Sequence, residues 1–190
     1  MDVTHRAGFD ARSSGRSGPV LTHILLACCL AVAAVMVLLT AVAPARAAAS
    51  GEPAGYAPGT VVISQSQRRL YLVTEGGSSI SYPVAVGRSG KQWRGTVQID
   101  GKYRNPAWAP PAEVKRAEPW LPDYIPGGSS RNPMGMRALT LSGDQYAIHG
   151  TNRPNTIGTA ASYGCIRMYN RDIVDLYDRV SVGTPVVMMP

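Results

Sequence analysis

RALTLSGDQYAIHGTNRPNTIGTAASYGCIRMYNRDIVDLYDRV, Arg137 to Val180, changes its period partway along. RALTLSG (137–143) and QYAIHG (145–150) are rich in apolar, β-branched and aromatic residues and read as a hairpin turning at Gly143-Asp144. TNRPNTIGTAASYG (151–164) reads as a loop. From Asn170 the spacing becomes helical. Ile173, Leu176, Tyr177 and Val180 share one face, with Asn170 as the expected N-cap and Asp172 complementing the positive end of the helix dipole. One helix is therefore expected to pack on a sheet.

Upstream, the pattern is also β. TVVIS (60–64), RRLYLVT (68–74), SISYPVAVG (79–87) and GTVQIDG (95–101) are candidate strands, and PVVMM (185–189) is a last one. The stretch from Arg104 to Met136 holds 7 of the 15 prolines, so neither a helix nor a central strand is expected there. Its aromatics, Trp108, Trp120 and Tyr124, favour a lid packed over a site rather than a disordered loop. The fold class is mainly β with one or two helices.

The first 47 residues read as a signal peptide or N-terminal membrane anchor. Arg6, Arg12 and Arg16 precede an apolar run from Ile24 to Ala43, and Ala45-Arg46-Ala47 fits a signal-peptidase site. The run is also just long enough to span a bilayer. Both forms imply export, to the periplasm or the outer face of the cytoplasmic membrane, with membrane contact only through this segment. Residues 48–58 are small, polar and rich in Pro and Gly, and read as a linker; 59–190 is the folded domain.

Charge narrows the partners. The whole chain is formally +7, and from Ala48 onward 15 Lys and Arg against 10 Asp and Glu leave +5. These charges are dispersed, without a basic helix or an aromatic ladder, so nucleic acid is not an expected partner. A mildly basic exported domain suits an anionic surface.

Cysteine and histidine usage is more specific. Cys28 and Cys29 lie in the apolar run, and His5 and His23 in the same N-terminal segment. The domain keeps one cysteine, Cys165, and one histidine, His149, at the two ends of one loop. An exported protein ordinarily pairs its cysteines, so a lone thiol is either a buried small hydrophobe or a reactive group. A thiol near its free pKa is mostly protonated at pH 7 and needs a base, and imidazole is the side chain suited to that task. Gly164, just before the thiol, lets the backbone approach a ligand closely. One Cys and one His do not make the four ligands of a closed zinc site, and neither a metal nor a cofactor is expected.

The segment HGTNRPNTIGTAASYGCIRMYNRDIVDLYDRVSVGTPVVMM (149–189) resembles the catalytic motif of the L,D-transpeptidases, cysteine enzymes that cross-link bacterial peptidoglycan. GTVVISQSQRRLYLV, YPVAVGRSG, YRNPAWAPP and NPMGMRALTLSG resemble the family's upstream blocks, so the likeness covers about Gly59 to Pro190. It implies a β-sandwich with the catalytic cysteine on a loop before the main helix. It also implies Cys165 as nucleophile and His149 as general base. The Gly150 carbonyl would orient the imidazole, and amides at Tyr163, Gly164 and Cys165 would form an oxyanion hole. Ser162 would fix the loop beside the substrate, and Arg167 would bind a substrate carboxylate or brace the loop. The reaction implied is acyl transfer from a stem tetrapeptide with release of D-Ala, to a stem amine, an envelope protein or water. Tyr163 departs from the pattern, because many relatives carry His there. A phenol, with an ordinary pKa of about 10, is not a base at neutral pH. A catalytically silent wall-binding domain, or a cysteine peptidase or carboxypeptidase trimming stem peptides, are the competing readings. Papain-like enzymes, however, place Cys before His.

Overall fold

Strand pairing organises the domain around two sheets that share two strands. In a computed structural model, which describes residues 53–143 and 146–190, nine strands form. They are β1 (Val61–Ser64), β2 (Arg69–Val73), β3 (Ser79–Gly87), β4 (Gly95–Arg104), β5 (Arg137–Leu141), β6 (Ala147–His149), β7 (Ala160–Ser162), β8 (Ile166–Met168) and β9 (Pro185–Met189). The first half of β3 pairs with β2, and its second half crosses to β8 and β7. β4 likewise pairs over Gly95–Gln98 with β9 and from Ile99 onward with β5, where the register is irregular between Ile99 and Gly101. The two long strands thus turn the corners of a sandwich, as strands that switch sheets do. The order β2-β1-β9-β4-β5-β6-β8-β3 closes on itself through the β2–β3 pairing, which leaves β7 on the outside of β3.

The core follows from alternation. Val61, Ile63, Leu70, Val84, Ile99 and Leu139 turn inward and are fully buried. The expected helix is α2, Asn170–Arg179, and its Ile173, Leu176 and Tyr177 complete this core. Lys102 of β4 reaches under the helix and donates to the carbonyls of Tyr177 (2.7 Å) and Val180 (2.6 Å). That places a cation on acceptors that the helix leaves unpaired.

Several expectations change. Asn170 is the first residue of α2 rather than its cap; Tyr169 holds the cap position and makes no capping bond. The loop before Cys165 contains β7, and the residues just after Cys165 form β8. The proline-rich stretch includes a helix, α1 (Ala112–Ala117). Pro111 precedes its first residue as the N-cap, outside the helix, where its missing N–H breaks no helical hydrogen bond. Tyr56, in the stretch read as a linker, packs with Val62, Tyr71 and Val73. Residues 1–52, which hold the targeting segment, and Asp144 of the hairpin turn lie outside the described residues.

Replacing Lys102 with Met keeps most of the apolar stem and removes the charged donor. The Lys102→Met variant should lose about 1.5–3 kcal/mol in urea unfolding, the usual worth of hydrogen bonds to a charged group. Unchanged stability would mean that water serves those carbonyls equally well.

Candidate active site

The period of two places the chemistry. β6 and β8 run parallel in register, with Ile148 opposite Ile166 and His149 opposite Arg167. Ile148, Ile166 and Met168 point into the core. His149, Cys165 and Arg167 therefore project from the opposite face, and all three line one cavity of about 520 Å³. Extended by one residue, the register puts Cys165 opposite Ala147, so the thiol lies diagonally from the imidazole, two residues before Arg167.

The imidazole is held. His149 is 4% exposed, and its Nδ1 donates to the Gly150 carbonyl at 2.7 Å. A carbonyl only accepts, so in the neutral ring the proton sits on Nδ1 and Nε2 keeps its lone pair. Burial, and then the charge of Arg167, push the imidazole from its ordinary 6.5 down to about 4, opposed by hydrogen bonds to the backbones of Gly150 and Pro133. Burial also pushes the Cys165 thiol up, opposed by a hydrogen bond from the Ala147 backbone and by Arg167. At neutral pH the pair is thus thiol and neutral imidazole, not thiolate and imidazolium. Arg167 favours a thiolate and disfavours an imidazolium. Its own charge is opposed by burial and next by Arg153.

The turn before the thiol is built from Ser162 and Gly164. Ser162, 1% exposed, donates its hydroxyl to the Cys165 carbonyl (2.5 Å) and accepts the Gly164 amide (3.1 Å). Gly164 sits at φ +119°, and a Cβ there would collide with the ring of Tyr146. This alters the expected oxyanion set, because the Gly164 amide is already engaged. The amides of Tyr163 and Cys165 have no hydrogen-bond acceptor among the described residues. Ser162 lies on the cavity wall, but both its bonds brace the turn. The Tyr163 ring faces the same cavity with the Arg88 guanidinium 3.9 Å from its centroid.

Three residues to which the sequence reading gave no role in the site hold its surroundings. Asn170 accepts the amides of Met136 and Thr151 (3.2 Å each) and donates to the Thr151 carbonyl (3.0 Å). It passes so near Gly150 that a Cβ there would strike its Oδ1. Asn132, 1% exposed, donates to the carbonyls of Pro106, Ile125 and Pro126 and accepts the Met134 amide. It thereby ties the proline-rich stretch together. That stretch supplies Trp108, Val114, Leu121 and Ile125 to the cavity wall, while Trp120 and Tyr124 stay exposed. Trp93, from the β3–β4 connection, donates its indole N–H to the Gly164 carbonyl at 3.1 Å. Among the described residues no cluster of three His, Cys, Asp or Glu side chains forms.

A family profile for the L,D-transpeptidase catalytic domain matches residues 58–188. The chain is 39% identical over 135 residues to the probable L,D-transpeptidase YbiS of Escherichia coli K12, covering 66% of this chain and 43% of that protein. It is 34% identical over 132 residues to the putative L,D-transpeptidase YkuD of Bacillus subtilis, covering 69% of this chain and 66% of that one. The chain thus spans less than half the length of YbiS. Among solved structures, an L,D-transpeptidase from Mycobacterium smegmatis shares the fold with a TM-score of 0.56 at 18% identity, covering 69% of this chain and 58% of that one.

The depressed imidazole pKa links stability to pH. Above about pH 6.5 the imidazole is neutral in both the folded and the unfolded chain, and its burial carries no protonation penalty. As pH falls from 6.5 to about 4 the unfolded chain takes up a proton that the folded site refuses, so stability is lost across that window by about 3 kcal/mol. Urea unfolding of the native protein and of His149→Asn at pH 7 and pH 4 should show this loss in the native protein and a markedly smaller one in the variant.

Proposed function

The chain belongs to the L,D-transpeptidase catalytic-domain family, and on that premise we propose that it transfers acyl groups between peptidoglycan stem peptides through a thioester on Cys165. The observation that carries this reading is the paired β6–β8 face. It places Cys165 and an imidazole whose Nδ1 is tied to the Gly150 carbonyl on the wall of one cavity.

The thiol attacks the carbonyl carbon that precedes the terminal D-Ala of a stem tetrapeptide. As the S–C bond forms, the thiol proton passes to His149 Nε2. The carbonyl π pair moves onto oxygen, where the Tyr163 and Cys165 amides receive it. Collapse breaks the C–N bond, and His149 returns the proton to the departing D-Ala amine. The thioester is then taken by an acceptor amine, whose proton goes to His149, and the thiolate is reprotonated in turn. A neutral starting pair suits this cycle, since His149 has to gain the proton and give it back within each half-reaction. Arg167, cationic on the same face, would hold a substrate carboxylate.

The acceptor defines the product. A stem amine gives a 3→3 cross-link, an envelope-protein lysine gives a covalently anchored protein, and water gives trimming. The N-terminal 47 residues would deliver the domain across the cytoplasmic membrane, as a cleaved signal or as an anchor, to act at the envelope.

Incubation with purified disaccharide-tetrapeptide, followed by intact-mass analysis, should reveal an adduct equal to the substrate minus D-Ala. Cys165→Ala should abolish it. His149→Ala should slow its formation by about a hundred- to ten-thousand-fold, with partial recovery at alkaline pH as the thiol ionises unaided. Tyr163→Phe keeps the ring and the amide and should cost about tenfold or less. An inert Tyr163→Phe beside an active His149→Ala would reverse the assignment of the base.

A further inference from the structure

We infer that Trp93 is a positioning residue for acyl transfer: its indole N–H holds the Gly164 carbonyl and so aims the Cys165 amide at the developing oxyanion. The inference rests on Cys165 as the acylated thiol. It adds a residue 71 positions away in sequence, on the connection between β3 and β4.

The Gly164–Cys165 peptide is the one whose orientation matters most, because its N–H belongs to the nucleophile itself. In a trans peptide the carbonyl and the N–H point in opposite directions, so anchoring one fixes the other. The Trp93 indole anchors the carbonyl at 3.1 Å. The Cys165 amide then points to the far side, with no acceptor among the described residues. Without such an anchor this peptide would be poorly held, because glycine resists rotation less than any other residue, and Gly164 already sits at φ +119°.

Trp93 is itself fixed on two sides. Its ring stacks on Tyr146, with centroids 5.8 Å apart and planes 6° from parallel. Its backbone carbonyl accepts the side-chain amide of Gln65 at 2.8 Å. Tyr146 is also the ring that forbids a Cβ at Gly164. One aromatic pair therefore both makes room for the glycine backbone and holds its carbonyl. Ser162 braces the same turn through the Gly164 amide and the Cys165 carbonyl, but leaves the Gly164 carbonyl to Trp93.

Two reactions of the same thiol separate positioning from general integrity. Acylation by p-nitrophenyl acetate passes through a tetrahedral oxyanion. The S–C bond forms, the ester C–O bond breaks, p-nitrophenolate leaves, and the thiol proton goes to His149 and on to solvent. Alkylation by iodoacetamide displaces iodide at a saturated carbon and forms no oxyanion. Trp93→Phe keeps an aromatic ring against Tyr146 and removes the N–H. A second variant, with benzothienylalanine at position 93, also keeps the bicyclic shape and covers the case in which the smaller ring disturbs folding.

Losing an oxyanion donor outright costs about a hundred- to a thousand-fold in kcat. Releasing its anchor should lower the acylation rate by roughly ten- to a hundred-fold, while iodoacetamide alkylation stays within about twofold of native. Equal losses in both reactions would mark Trp93 as merely structural and overturn the inference, as would no loss in either. The ester carries no stem peptide, so the result stands apart from whether the native protein accepts the tetrapeptide.

Discussion

Parallel pairing between β6 and β8 is the constraint on which the site depends. Two three-residue strands would hold little by themselves. They lie between β5 on one side and β3 on the other, and β3 also carries β2 and β7. Burial of Ile148, Ile166 and Met168 on the core face fixes the register, because a slip of one residue would turn those side chains to the cavity and His149, Cys165 and Arg167 to the core. The same apolar residues that stabilise the sheet therefore set the spacing between imidazole and thiol.

Burial also sets the protonation state. Removing the imidazole from water lowers its pKa, and doing the same to the thiol raises its own, so both are uncharged at neutral pH. Arg167 bears on both groups, favouring negative charge on sulfur and opposing positive charge on the ring. A guanidinium in that position is suited to an anionic ligand, and a carboxylate bound against it would relieve its effect on the imidazole. Affinity for the ligand and basicity of His149 would then rise together.

The proline-rich stretch between β4 and β5 shows how a segment without regular pairing becomes a wall. Its carbonyls cannot be satisfied by amides that proline lacks. Asn132 serves three of them from a buried position, and a single bridge between Trp108 and Ile125 closes the stretch upon itself. Lys91 to Glu113 (2.5 Å) and Lys115 to Asp123 (2.7 Å) are exposed ion pairs that add little stability, though they join α1 to its neighbours.

Period-two and helical patterning in the sequence located five of the strands, the hairpin and the main helix, since alternation and amphipathic spacing record which face is buried. The single Cys and single His of the domain, with their glycines and the motif around them, marked the thiol and the imidazole. β7 and β8 escaped because, unlike β6, their three residues are not part of a longer apolar run in the sequence, and α1 because prolines hide a helix that starts after one. Asn170 looked like a cap on sequence grounds, yet its amide instead joins Met136 and Thr151 across the site. Gly164 looked free to donate, yet Ser162 takes its amide. Trp93 carried no local signal at all. Those roles depend on which backbone groups are left unpaired once the sheets close, and only the tertiary structure decides that, because hydrogen-bond partners far apart in sequence are chosen by the packing that brings them together.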